Sequence, residues 1–331
     1  MTKKLALFFV VCFAFASSVR ALPVPPVSRE HSATSSAAPP EGTMRNNLSF
    51  EFAALMESAS TPESLFRELQ NFKILIVPGF KNAAMARSSG DFADQISVLK
   101  DGGLIENVDF QLLSAADNFG GLREMASNAA AIAQAISSSH RPVILVSQSK
   151  GSVDVLEALS NHVELQGHVH AWFSIQGALW GSQIADGIEA KPKDRFYFHH
   201  AMQLLGGSPT AIIELQKTIR TKYMRDHAAT IRQLCQRIHV ISWASYKAPS
   251  EIWWALQKLD GGYFKNVSLF QSDGVVQLPD ALLPQSDYII VNNVDHADST
   301  LQVVDKNRKK TEPSGFDRRR FMIAIAALTL H

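Results

Sequence analysis

Residues 143–154 constrain this chain more tightly than any other stretch. Val143 to Val146 are wholly apolar, Ser147-Gln148-Ser149-Lys150-Gly151 follows without a spacer, and a helical pattern begins at Ser152. A short apolar run passing straight into a helix is a buried parallel strand handing its chain to a crossover. A serine between small residues two places away on either side makes that junction sharp, because larger neighbours would collide across the turn. Gly151 meets this demand and Ser147 stands where a first glycine is usual. The turn lifts the Ser149 hydroxyl above the sheet edge, and the following helix directs its N-terminus toward it.

The chain on either side alternates in the same way. Strand candidates are Lys73–Val77, Val108–Leu113, Pro142–Ser147, Val169–Ile175, Ile238–Trp243, Asn266–Phe270 and Tyr288–Val294, with helical patterns over Gly121–Ser138 and Ser152–Ser160. Alternation of this kind predicts an α/β fold, a mostly parallel sheet flanked by helices. Residues 183–236 are helical in pattern and poor in strand signals, with pairs such as Ile212/Leu215 and Ile219/Tyr223 suiting amphipathic helices. An insertion of that size reads as a helical cap or lid over a site, with a plain structural excursion as the alternative.

The ends differ in character from this middle. Lys3 and Lys4 precede an apolar run from Leu5 to Ala16, and Ala14-Phe15-Ala16 offers a small-x-small cut. That is the order of a secretory signal peptide, and the run is shorter than the ~20 residues needed to span a bilayer. Residues 1–16 are therefore expected to be a signal peptide (a second cut is available after Ala21), and the chain to be exported, periplasmic or secreted. Residues 17–45, rich in Ser, Ala and Pro, read as an extended tether to a folded domain over 46–331. At the other end Arg318-Arg319-Arg320 precedes a short apolar run, read as a terminal helix packing on the domain rather than as a basic surface contact.

Charge narrows the partners. The chain has 32 Lys+Arg against 31 Asp+Glu, and loss of Lys3 and Lys4 leaves 30 against 31. Neither balance favours a polyanion, so no nucleic-acid partner is expected. Of its 2 cysteines the cut removes Cys12, leaving Cys235 in an apolar run as a small buried hydrophobe.

An elbow serine needs a base and an acid to orient it, in the order Ser, Asp or Glu, then His. Asp273 lies in Ser272-Asp273-Gly274 past one strand candidate, and His296 follows another directly, so both reach the sheet edge that carries Ser149. Here His296 is the general base and Asp273 holds its tautomer, with Asp280, Asp287 and Asp295 as lesser candidates for the acid. Oxyanion donors are expected from the backbone N–H groups of Lys150, opening the elbow helix, and of Phe80, after the Pro78-Gly79 turn.

These motifs together resemble the α/β-hydrolase superfamily, in particular its bacterial lipase and esterase branch, over about residues 70–300. The elbow 147–151, the Val77–Phe80 turn, the Asp273 and His296 segments and Gly181-Ser182 with Ala185-Asp186 are similar to that branch in order and type. Ser147 for glycine, Pro78 for a histidine and Ala178-Leu179-Trp180 for a proline-bearing run depart from it. The resemblance implies ester hydrolysis through an acyl-serine, without an organic cofactor. A thioester or amide substrate is the alternative, as is a binding module of the same fold without turnover.

Metal catalysis has little support: His199 and His200 diverge on a helix, His168 and His170 lack a third ligand, and no metal or other cofactor is expected. Phe80 and Trp180 are the expected substrate-binding side chains, with Phe196, Tyr197, Phe198, Trp253 and Trp254 as further pocket or core candidates. The expected partner is a small-molecule or lipid ester, with transient lipid-interface contact through the cap and no specific protein partner.

Overall fold

The computed structural model describes residues 44–58, 63–80, 92–101, 108–204, 207–253, 256, 271–301 and 315–330. The expected signal peptide, most of the tether, the strand candidate Asn266–Phe270 and Trp254 lie outside the described residues.

Among the described residues six strands form one sheet: β1 (Lys73–Val77), β2 (Asp109–Leu112), β3 (Val143–Gln148), β4 (Val169–Ile175), β5 (His239–Tyr246) and β6 (Asp287–Asn292). Every pairing is parallel and the spatial order is β2-β1-β3-β4-β5-β6. All six residues of β3 are buried, which is why its sequence reads as an unbroken apolar run and not as an alternation. Side chains still alternate between faces. Leu75, Val77, Val143 and Leu145 enter one core, while Ile74, Ile76, Ile144 and Val146 enter the other.

The helices are α1 (Ser49–Glu57), α2 (Glu63–Leu69), α3 (Ala93–Asp101), α4 (Met125–Ser137), α5 (Lys150–Asn161), α6 (Gln183–Ala190), α7 (Pro192–Leu204), α8 (Thr210–Ile213), α9 (Lys217–Asp226), α10 (Ala228–Arg237) and α11 (Arg318–Leu330). The first core lies under α4, α5 and α10, through Ile132, Ile136, Leu156, Leu159, Ile231 and Leu234. The second is covered by α1, α2, α3 and α11, around an aromatic cluster in which Phe321 meets Trp243 at 5.0 Å, Phe316 at 5.1 Å and Phe52 at 5.8 Å between ring centroids. Thus the C-terminal apolar run is a core helix. Two of its arginines are anchored rather than solvated: Arg318 bonds Asp94 and the Asp298 carbonyl, and Arg320 bonds the Leu55 carbonyl. Among the described residues no helix is long and apolar enough to cross a membrane.

Two strand ends lie more than one residue from the sequence reading. β5 runs on to Tyr246 because Ala244, Ser245 and Tyr246 pair with Ile290, Val291 and Asn292 of β6, a tertiary pairing that leaves no local apolar signal. β6 stops at Asn292, since Asn293 turns the chain at φ 60°.

The helical stretch 183–236 divides in two. α10 lies against the sheet, burying Ile231, Leu234 and Cys235. Helices α6, α7 and α8 share a third apolar cluster with Val153, Ala178, Ala244 and Val276. Polar ties fix this layer to the sheet loops: Lys217 Nζ lies 2.7 Å from Asp280 Oδ2 and Ser182 Oγ donates to the Val275 carbonyl at 2.8 Å.

Candidate active site

Strand β3 ends at Gln148 and α5 starts at Lys150, so Ser149 alone makes the turn, with φ 56° and ψ −125°. A non-glycine residue in this region stores roughly 1–3 kcal/mol of backbone strain, sustained only when its surroundings fix it. They do so through backbone contacts. Ser149 N–H donates to the Ile175 carbonyl at 3.0 Å and its own carbonyl accepts from Ser152 N–H at 3.1 Å. A Cβ on Gly151 would stand 2.4 Å from the Val77 carbonyl oxygen, and one on Gly79 would stand 2.7 Å from Ser149 Cβ. The elbow and the loop after β1 therefore meet backbone to backbone, and both positions need glycine. Ser147 fits the first small position because its hydroxyl is fully employed, accepting from Trp172 Nε1 at 2.7 Å and lying 2.9 Å from Ser152 Oγ.

Asp273 reaches this edge through a link not visible in the local sequence. Lys247 N–H, just past β5, donates to the Ser272 carbonyl at 3.0 Å, which fixes the returning chain beside the end of that strand. Asp273 Oδ1 then accepts from the Val275 and Val276 N–H groups at 2.8 and 2.7 Å. Its Oδ2 is left for His296 Nδ1, at 2.7 Å. The His296 N–H donates to the Asp273 carbonyl at 2.9 Å, so ring and backbone are held by one residue. Both are largely buried, with side-chain exposures of 11% for His296 and 2% for Asp273.

The structure thus gathers Ser149, Asp273 and His296 at the carboxyl ends of β3, β5 and β6. Among the described residues no hydrogen bond joins Ser149 Oγ to His296 Nε2; that nitrogen faces Gln148 Nε2 at 3.2 Å. The Phe80 and Lys150 N–H groups donate to no protein acceptor among the described residues, leaving two backbone donors beside the elbow. Phe80 stacks on Phe198, with centroids 6.4 Å apart, bringing α7 to the β1 loop. Trp180, an expected substrate-binding side chain, is partly buried. Its ring packs on the core under α4 and α5, and its Nε1 donates to the Leu282 carbonyl at 3.0 Å. The lesser acid candidates are committed elsewhere: Asp280 to Lys217, Asp287 to Asn46 and His239, Asp295 to the N–H groups of Ala297 and Asp298.

No family model matches this sequence, and no curated protein does. Solved structures do match. A metagenomic carboxyl esterase, MGS0156, superposes with a TM-score of 0.64 at 24% identity, over 78% of this chain and 76% of its own. The mature form of Bacillus licheniformis lipase BlEst2 superposes with a TM-score of 0.52 at 22% identity, over 68% of this chain and 84% of its own. This chain has the α/β-hydrolase fold. In that fold the elbow after β3 and the loops at the carboxyl ends of the strands lie along one sheet edge, where Ser149, Asp273 and His296 stand.

Further polar residues, Gln176 among them not singled out from the sequence, surround this sheet edge. Gln176, at φ 48° just after β4, is fully buried; its Nε2 donates to Ser245 Oγ at 2.6 Å and to the Asp295 carbonyl at 3.0 Å, and its Oε1 accepts from Ser299 Oγ at 2.6 Å. Lys247 Nζ bonds Asp298 at 2.8 Å, and Asp298 in turn accepts the Asp295 N–H. Together they brace the turn that carries His296. The one sequence sign was a polar residue directly after a buried strand. Beneath the elbow, Lys150 and Asp154 form a buried ion pair at 2.7 Å, and Asn128 donates to the second Asp154 oxygen at 2.9 Å. Burial pushes the Asp154 carboxyl above its usual range, against the pull of the Lys150 ammonium. Among the described residues no cluster of three His, Cys, Asp or Glu side chains suits a metal.

Proposed function

We propose that this protein is a serine hydrolase of carboxylic esters, acting through an acyl-enzyme on Ser149. The observation that carries the reading is the strained elbow at Ser149 on the same sheet edge as the His296–Asp273 pair, bonded at 2.7 Å. Asp273 accepts a hydrogen bond from Nδ1–H, which leaves the Nε2 lone pair as the basic site of the ring. Ser149 Oγ attacks the ester carbon while His296 Nε2 takes the hydroxyl proton. The carbonyl π electrons move to oxygen, where the Phe80 and Lys150 N–H groups receive the developing charge. Collapse breaks the bond to the alcohol oxygen, which leaves with the proton from His296. Water then repeats the sequence: its proton goes to His296, its oxygen bonds the acyl carbon, and Ser149 Oγ departs and recovers the proton.

Phe80 against Phe198 supports an apolar acyl group beside the oxyanion donors. The cap exposes Phe196 (66%), Leu204 (48%), Tyr197 (40%) and Ile219 (39%), which supports transient contact with a lipid interface. Export rests on residues 1–16 and is tested by N-terminal sequencing of the secreted or periplasmic product. The decisive experiment for catalysis is fluorophosphonate labelling alongside hydrolysis of p-nitrophenyl esters of graded chain length. Wild type should label and turn over, and Ser149→Ala should do neither. Folded wild type that does neither sinks the proposal.

A further inference from the structure

Gln148 is the last residue of β3, immediately before the elbow serine, and is nearly buried, at 8% exposed. Its Nε2 lies 3.2 Å from His296 Nε2 and 3.5 Å from the His296 carbonyl oxygen. Its Oε1 sits so close to the β1 loop that a Cβ built on Gly79 would stand 2.6 Å from it. The carboxamide is thus wedged between the candidate base and the loop that carries one oxyanion donor.

Tautomer logic fixes what this contact is. Asp273 Oδ2 holds the Nδ1 hydrogen at 2.7 Å, so the neutral ring presents a bare lone pair at Nε2. Only the amide N–H can face it, because the opposite amide orientation would set two lone pairs against each other. The hydrogen that Gln148 donates therefore occupies the position that must accept the Ser149 proton, and Ser149 Oγ is not bonded there among the described residues.

We propose that Gln148 is a positioning residue that latches the general base in the resting site and yields Nε2 to Ser149 when substrate enters beside Gly79 and Phe80. The inference rests on Ser149 and His296 being nucleophile and base. A substrate carbonyl settling against the Phe80 N–H approaches the Gln148 carboxamide from its Gly79 side, so occupancy and release are coupled. In the absence of substrate the latch keeps the hydroxyl from being activated toward water-sized or adventitious electrophiles.

The test compares wild type with Gln148→Met, which keeps the length of the side chain and removes the donor. A small fluorophosphonate should inactivate Gln148→Met about 3–10-fold faster than wild type, the range expected from freeing a base from one neutral hydrogen bond. Equal or slower inactivation of a variant with the wild-type melting temperature overturns the latch. If wild type itself does not label, the serine-hydrolase reading fails and the latch with it, an outcome distinct from equal labelling of both. A second measurement needs no variant. With 15N-labelled histidine, Nε2 of His296 should resonate upfield of an unbonded imidazole acceptor in the free enzyme. A resonance at the unbonded position also overturns the proposal.

Discussion

Asp273 grips His296 twice, through the carboxylate on Nδ1 at 2.7 Å and through its own carbonyl on the His296 N–H at 2.9 Å. The second contact survives any change of side chain, so the histidine keeps its backbone position when the carboxylate is altered. Asp273→Asn is therefore expected to stay folded and to lose about 10³–10⁴-fold in kcat, because an amide cannot hold the Nδ1–H tautomer or stabilise the imidazolium. Steady-state kinetics with KM little changed would agree with this; a loss below tenfold would remove Asp273 from the mechanism.

The elbow makes a second prediction through volume alone. Gly151→Ala places a methyl 2.4 Å from the Val77 oxygen and 2.6 Å from the Pro78 oxygen, neither of which belongs to a flexible side chain. The β1 loop must move, so activity should fall more than tenfold. Gly167→Ala meets nothing within 4 Å and serves as the control, with activity and melting temperature unchanged.

Beneath that elbow, Asp154→Ala leaves the Lys150 ammonium, 1% exposed, without its counter-ion. Stability should drop by about 3–5 kcal/mol, read from urea unfolding. The double variant Lys150→Met with Asp154→Leu, which removes both charges, should recover most of the loss.

Asp295 carries a pH prediction. Burial, and then the neighbouring Asp298 carboxylate, push its carboxyl above the ordinary value of 3.8. The folded protein then binds a proton where the unfolded chain does not, so this group favours the fold increasingly as pH falls from above its raised value toward 3.8. Above that value its contribution is unfavourable and constant. Asp295→Asn keeps an acceptor for the Ala297 and Asp298 N–H groups and removes the titration. The variant should show a smaller gain, or a larger loss, of melting temperature on acidification from pH 7 to 4.5 than wild type.

The Cys235 thiol, on the buried side of α10, is pushed up to about 12 by burial. Ellman's reagent at pH 8 should leave this cysteine unmodified in the folded protein and modify it promptly in guanidinium, with the site mapped by mass spectrometry. Rapid reaction in the native state would contradict the packing of α10 on the sheet.

The legible parts of this chain share a property: each is local. The apolar runs of β1, β3 and β4 stand out because central strands of a parallel sheet are buried on both faces, and the elbow because its sterics need small residues at fixed spacing. The end of β5 was not legible, since Ser245 and Tyr246 join the strand only by pairing with β6. The setting of Trp180 was not legible for a related reason: its indole N–H finds the Leu282 carbonyl, 102 positions away. Gln176 is the clearest omission: its worth lies in bonds to residues 69 and 119 positions away.

By itself the sequence determined the strand that ends in an elbow at Ser149, the helix that follows, and the chain order of serine, aspartate and histidine. These depend on burial and backbone sterics within a dozen residues. Only the tertiary structure decided that Lys247 would draw Asp273 back beside β5, and that α10 would flank the sheet while α6 to α8 share a separate apolar cluster. It alone set Gln148 against His296 Nε2. Such contacts form between segments far apart in the chain, where hydrogen-bond geometry and close packing choose among partners that local pattern leaves equivalent.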